Sequence, residues 1–321
     1  MSYLRVSVTD RCNLRCVYCM PIEGIPLLSH QDILTFEEIE RVVQTAAKMG
    51  IRKIRLIGGE PLTRAGLPKL VHMIAATPGI DDISMTTNGQ LLPRYADELA
   101  SAGLNRVNVS LDSLRPRRYR ALTRVGGLAL AWRGVQAAEA AGLAPVKINS
   151  VVVRGFNDDE VVDFARLTLA EERHIRFIEV MPLGHSDLWA ENGFVSMQEV
   201  RERIETALGP LSQVGLDAPV IGNGPARYWR LPDAAGTLGF ISPVSDHFCA
   251  GCNRLRLTAD GRLLPCLLSD MEIDLRDPLR SGIDDAELKA LLANAVARKP
   301  ARHHLEEGEH PVKREMAQIG G

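Results

Sequence analysis

Six cysteines carry the chemistry available to this sequence, and they fall in two groups of three: Cys12, Cys16 and Cys19, then Cys249, Cys252 and Cys266, with none between. The first group reads C-x3-C-x2-C directly after an apolar β-rich run, where a strand-to-helix loop can curl three thiolates around one centre. A [4Fe–4S] cube takes four thiolates, one per iron, so three protein ligands leave one iron open to another molecule. An open metal position implies reactivity. The competing readings are a zinc site completed from elsewhere and unliganded buried thiols. The second group reads C-x2-C-x13-C, and His247, two residues before Cys249, is competent to complete a zinc ribbon. Spacing does not choose between zinc and iron there.

The scaffold that holds these residues is legible in outline. The chain has 321 residues, 45% hydrophobic and 24% charged, which excludes disordered, collagen-like and small disulfide-stapled classes. Its 38 Lys and Arg against 40 Asp and Glu give a net charge of −2, which excludes a globally basic nucleic-acid binder but allows a local basic pocket. The opening MSYLRVSVTD lacks a secretory leader, and no apolar run approaches the roughly 18 residues of a membrane span, so a cytoplasmic protein with no membrane and no nucleic-acid partner is expected. In that compartment clustered cysteines serve metals or catalysis rather than disulfides.

β-rich runs at 3–8, 52–57, 82–87, 105–111, 146–153 and 174–180 alternate with helical patterns at 36–48, 66–76, 91–102, 128–141 and 158–170. The first helix opens on Thr35 with Glu38 as its capping-box partner. This βα rhythm predicts a parallel sheet wound in one hand, with ligands at the carboxyl ends of its strands. Six units are too few for a complete barrel, so the fold expected is α/β, an incomplete TIM-like (βα)6 barrel over 1–182. Beyond it the rhythm breaks. A helix from Ser196, a Gly/Pro-rich linker around 209–226, a hairpin LRLTADGRLLPC turning at Asp260-Gly261 and a helix near 284–297 predict a smaller C-terminal α+β region over 183–321.

The first cysteine set, with Val17 and the aromatic Tyr18 before Cys19, resembles that of the radical S-adenosylmethionine (SAM) enzymes. The resemblance implies that SAM chelates the open iron and is cleaved by one electron to a 5′-deoxyadenosyl radical. It carries SAM contacts onto Tyr18, onto Gly59 in the GGEP loop at 58–61, onto Ser110 in SLDS and onto Met181 in EVMP. Taken alone, a GGEP run is also an ordinary strand-to-helix turn, a Ser a cap and a Met core filler.

A narrower resemblance spans nearly the whole chain, through RVSVTDRCNLRCVYCMP, RLIGGEPLTR, TTNG, SLDSL, VKINSVVVRGFND, IEVMPLG, FCAGCNRLRLTADGRLLPCL and the terminal MAQIGG. It is to the GTP 3′,8-cyclase family of molybdenum cofactor biosynthesis, lyases of the radical SAM superfamily. This implies a second [4Fe–4S] cluster on Cys249, Cys252 and Cys266, whose open iron binds the guanine of GTP. Hydrogen is then taken from ribose C3′, and C3′ attacks guanine C8 to give 3′,8-cyclo-7,8-dihydro-GTP. GTP contacts fall on Arg5, Arg55, Thr86, Lys147, Arg254, Leu255 and Arg256, and Gly320 and Gly321 are implied to reach into the active site and serve catalysis. The implied partners are GTP, an electron donor and cyclic pyranopterin monophosphate synthase, which receives the product; the protein itself would be a monomer or homodimer. Set beside that family, the first cysteine at position 12 comes early, so a short or absent N-terminal arm is expected. There is no P-loop pattern. The alternatives are a radical SAM enzyme acting on a peptide with an auxiliary cluster, and a non-catalytic zinc or iron–sulfur binding protein.

Overall fold

The computed structural model describes residues 1–183, 193–215, 224–307 and 311–320. It begins with β1 (Tyr3–Ser7) and α1 (Phe36–Lys48), where the Thr35–Glu38 capping box is formed in both directions. Next come β2 (Lys53–Ile57), α2 (Leu67–Ala75), β3 (Asp82–Thr87), α3 (Leu92–Ser101) and β4 (Arg106–Ser110). Two helices, α4 (Pro116–Thr123) and α5 (Leu128–Ala140), precede β5 (Lys147–Val152), α6 (Val161–Ala170) and β6 (His174–Glu179). The sequence periodicity does not foreshadow α4, because its buried positions shrink to Tyr119, Leu122 and Thr123 among three arginines.

The later part supplies α7 (Met197–Leu208), β7 (Ser212–Gln213), β8 (Arg227–Arg230), β9 (Thr237–Ile241), β10 (Arg254–Leu257), β11 (Arg262–Leu264) and β12 (Ile273–Asp274). It ends in α8 (Arg276–Arg280), α9 (Asp285–Ala297) and a short α10 (Met316–Ile319). β10 and β11 form the expected hairpin, and Gly261, at φ +78°, takes its turn position.

All twelve described strands share one sheet, in the order β12-β11-β10-β1-β2-β3-β4-β5-β6-β9-β8-β7. β1 to β6 run parallel as the βα rhythm demands, and the sheet is not closed. Two further parallel strands join it from the later part: β10 beside β1 and β9 beside β6. The sheet therefore runs without a break across residue 182, and one apolar core serves helices from both parts.

Period-two alternation gives this sheet two unlike faces. Leu4, Val6, Ile54, Leu56, Ile83, Met85, Val107, Val109, Ile148, Ile175 and Phe177 bury one face in the core. The intervening Arg5, Arg55, Ser84, Thr86, Asn108, Ser110, Asn149 and Arg176 form the other. Burying so many polar groups is costly unless they have partners, so that face must meet a polar ligand, its own chain or both.

Candidate active site

One cavity covers the polar face, and both cysteine sets open onto it. Cys12, Cys16 and Cys19 lie in the loop after β1; Cys249 and Cys252 precede β10, and Cys266 follows β11. Because β1 and β10 are paired in register, with Arg5 opposite Arg256, two segments from opposite ends of the chain become adjacent walls. Among the described residues no three His, Cys, Asp or Glu side chains are gathered as a site for a single metal ion. What each set offers is three thiols, the soft donor type that iron–sulfur clusters take.

The first cysteine loop is docked by glycines. Gly59 N–H donates to Thr9 O at 2.8 Å and Glu60 N–H to Arg11 O at 2.8 Å. A Cβ on Gly59 would stand 2.4 Å from Arg11 O, and one on Gly58 2.6 Å from Thr9 O. The backbone these glycines admit is thus the chain's own cysteine loop. Glu60, 1% exposed, accepts from Leu62 N–H, Thr87 Oγ1 and Asn88 N–H, tying the ends of β2 and β3 together. Burial pushes its carboxyl up to about 7 against the pull of those donors.

Tyr18 OH donates to Asp112 Oδ2 at 2.7 Å, bridging the cysteine loop to the segment after β4, while Asp112 Oδ1 accepts from Val151 N–H. Burial raises Asp112 to about 6 in spite of both bonds. Burial likewise pushes Cys12 up to about 11, Cys19 to about 12 and Cys16 well above its ordinary value. Cys252 differs. Burial raises it, yet Arg254 and Lys299 outweigh that and bring it down to about 7. Arg254 Nη2 lies 3.5 Å from Cys252 Sγ, and Lys299 Nζ donates to Arg254 O at 3.0 Å and Pro265 O at 2.6 Å, clipping together the two segments that bear the second set.

Cations converge on the same cavity. Arg5, Arg55, Arg176, Arg254, Arg256 and Lys299 line it. Arg55 Nε donates to Ser84 Oγ at 3.1 Å and Arg176 Nε to Asn149 Oδ1 at 2.8 Å, which aim both guanidinium groups. Burial and then the neighbouring Arg254 lower Arg256 to about 9. Such crowding of positive charge is stable only beside anions. The hydroxyls of Tyr3 and Thr86, also on this wall, are buried without a hydrogen-bonding partner among the described residues, which fits a cavity built for a polar ligand.

Of the residues singled out from the sequence, all six cysteines, Tyr18, Gly59, Ser110, Met181, Arg5, Arg55, Thr86, Arg254 and Arg256 line the cavity. Lys147 does not. It starts β5 at 3% exposure, with Nζ 5.4 Å from the Tyr228 ring centroid, and burial, then Arg176, Arg106 and Arg55, push it down to about 6. Leu255, between two inward arginines, points the opposite way into the core at 3% exposure. Gly320 is buried beside Ile57, its carbonyl accepting from Arg256 Nη1. Gly321 lies outside the described residues. His247 meets His303 edge-on, ring centroids 5.3 Å apart. Sequence reading passed over Arg176, Asp112 and Lys299; the alternation in HIRFIE was the available signal for Arg176.

Comparison with known proteins agrees on the family. The Radical SAM superfamily model matches residues 6–168, and the Molybdenum Cofactor Synthesis C model matches residues 173–305. The GTP 3′,8-cyclase of Pelotomaculum thermopropionicum is 57% identical over 321 residues, covering 100% of this chain and 98% of that protein. That of Heliobacterium modesticaldum is 54% identical, covering 99% and 97%. Among solved structures, Streptococcus suis SuiB bound to S-adenosylmethionine superposes with a TM-score of 0.58 at 13% identity over 90% of this chain and 67% of that one, a likeness of fold.

Proposed function

The chain belongs to the radical SAM GTP 3′,8-cyclase family, and from that premise we propose how its residues divide the conversion of GTP to 3′,8-cyclo-7,8-dihydro-GTP in molybdenum cofactor synthesis. Residues 1–182 hold SAM and a [4Fe–4S] cluster on Cys12, Cys16 and Cys19. Residues 183–321 hold a second [4Fe–4S] cluster on Cys249, Cys252 and Cys266, against the guanine. When bound, the first cluster and SAM supply hydrogen-atom abstraction by a carbon radical. Every other task falls to the chain.

Tyr18, Gly59, Ser110 and Met181 seat SAM. Arg5, Arg55, Arg176, Arg254 and Arg256 grip the triphosphate, since planar guanidinium forks on different strands match phosphate oxygens and fix the ribose relative to the cysteine loops. Thr86 adds a hydroxyl to this wall. Lys147 packs beneath this wall against Tyr228 and comes to bear on GTP only as bound phosphate restores its proton, and Leu255 anchors β10 in the core so that Arg254 and Arg256 face inward. Gly320 seats the tail against Ile57, where a side chain would not fit, and its carbonyl holds Arg256, while Gly320 and Gly321 together are assigned to catalysis. Holding both substrates in one closed space orients C3′ toward the abstracting centre and C8, and excludes water that would quench a radical. An electron donor serves the first cysteine set, cyclic pyranopterin monophosphate synthase takes the product, and the enzyme works in the cytoplasm as a monomer or homodimer. No described helix is long and apolar enough to cross a membrane.

The observation that carries this reading is that both cysteine sets and five arginines line one cavity. Its test is anaerobic incubation with GTP, SAM and a reductant. Formation of 5′-deoxyadenosine together with a cyclised purine, on protein holding about eight irons per chain at four per cube, is expected. One zinc per chain and no SAM cleavage would overturn it.

A further inference from the structure

Between Asp112 and Glu139 the chain carries Arg115, Arg117, Arg118, Arg120, Arg124 and Arg133 and no acid. These arginines divide by direction. Arg115 and Arg118 turn to Asp159, Asp163 and Glu160. Arg117, Arg120 and Arg124 fall at i, i+3 and i+7, on one face of α4 and its C-terminal end, opposite the buried Tyr119 and Leu122.

The C-terminal end of α4, next to the exposed Arg117 and Arg120, abuts the first cysteine loop. Arg15 N–H donates to Thr123 O and Val17 N–H to Leu122 O, both at 3.0 Å, and Arg124 Nη1 reaches Arg15 O and Met20 O. Arg15 Nη1 in turn donates to Cys12 O at 2.7 Å, so hydrogen bonds run from the end of α4 through a single residue to a cysteine backbone. Apolar side chains stand exposed on both segments: Ile22 at 66% and Leu27 at 54% after the cysteines, and Val125 at 49% just after α4. Glu23 is the acid of this loop face; Asp10, which also flanks the loop, is buried under Leu28 N–H. Exposed arginines with exposed apolar side chains on the same two segments complement an acidic protein surface.

We propose that this face, α4 with the outer side of the first cysteine loop, docks an acidic one-electron carrier protein. The inference rests on the functional reading above, which places a one-electron acceptor on Cys12, Cys16 and Cys19. One electron passes from the reduced carrier to the cluster there, the carrier leaves oxidised by one electron, and no atom or proton moves. Electron transfer slows steeply with distance, so the short hydrogen-bonded path through Arg15 is the favourable entry. Such encounters are small, transient and steered by charge, hence weakened by salt.

The probe is a reduced acidic ferredoxin acting on the anaerobic holoenzyme, with dithionite as the small-molecule comparison. The KM for ferredoxin, and the dissociation constant of its oxidised form measured by direct titration, should both rise with salt. The pair Arg117→Glu with Arg120→Glu should raise both by about tenfold. Val125→Glu should act in the same direction. Dithionite-driven 5′-deoxyadenosine formation should stay within about twofold of wild type in all of them, since small reductants need no docking face. If dithionite drives no SAM cleavage even in wild type, the functional reading fails. If it does, and charge reversal leaves the ferredoxin constants unmoved, the docking proposal alone fails. It also fails if the variants lose dithionite-driven and ferredoxin-driven rates equally, or if the face proves to bind RNA or a second copy of this chain.

Discussion

Gly320→Ala tests the seat of the C-terminal tail. Gly320 holds φ +72°, and an added Cβ would meet Ile57 Cδ1 at 2.5 Å, Cγ1 at 2.6 Å and Cβ at 2.9 Å. Left-handed backbone costs an L-residue about 1–2 kcal/mol. Overpacking against a buried, β-branched neighbour adds about 1–3 kcal/mol. Together these oppose the seated tail by roughly 2–5 kcal/mol, which lowers the ratio of seated to unseated tails by roughly thirty-fold to several thousand-fold. The bond from Arg256 to the Gly320 carbonyl is lost with it, and Arg256 turns away from its place on the wall. The assay separates SAM cleavage from cyclisation. Iron content and 5′-deoxyadenosine should be kept, while cyclic product per 5′-deoxyadenosine falls by at least about tenfold. Adding Ile57→Ala removes the two closest contacts and leaves the backbone cost, so the double variant should recover part of the yield. Product within twofold of wild type in the single variant, or no recovery in the double, would refute the reasoning.

Gly59→Ala should dislodge the first cysteine loop, because its Cβ meets backbone at 2.4 Å; the expected outcome is loss of about half the iron and all SAM cleavage with the second set still loaded, checked by iron content and cluster spectroscopy. Lys299→Met removes both clips between the second-set segments and one cation beside Cys252; iron there should become labile to chelators while SAM cleavage without GTP persists, and an equally stable second cluster would contradict the role given to Lys299. His174 is 4% exposed, and burial, then Lys147 and Arg176, push it from 6.5 down to about 4. The unfolded chain therefore takes up a proton as pH falls through 6.5 while the native one does not until near 4, so this group withdraws roughly 3 kcal/mol of stability across that window and none above it. Denaturant titrations of wild type and His174→Asn between pH 7 and pH 4 should show a shallower decline in the variant.

Much of the scaffold was written locally. The βα rhythm from 3 to 180 predicts six strands that the structure places side by side and parallel, and the Thr35–Glu38 capping box starts α1 where its side chains require. The helix α4 escaped because a single turn of apolar residues among arginines carries too weak a period, and it is the element that stands beside the first cysteine loop. The GGEP run was legible as a close approach of backbone, but the approaching backbone is the cysteine loop of the same chain.

By itself, the sequence determined the donor sets, three thiols after β1 and three around the β10–β11 hairpin, and the alternation that makes one sheet face polar. Both are short-range properties, set by ligand spacing and by the two-residue repeat of a strand. Tertiary structure alone decided that the sets share a cavity. Pairing β10 beside β1, with Arg5 opposite Arg256, joins segments from the two ends of the chain, and no local pattern encodes which distant strand completes a sheet edge. The same pairing sorts RLR at 254–256 into two arginines for the cavity and one leucine for the core, and leaves Lys147 beneath the wall rather than on it. Burial and charge then depend on that assembly. A cavity of five arginines in a chain of net charge −2 exists only because separate strands, each carrying an ordinary number of cations, are turned to face one another.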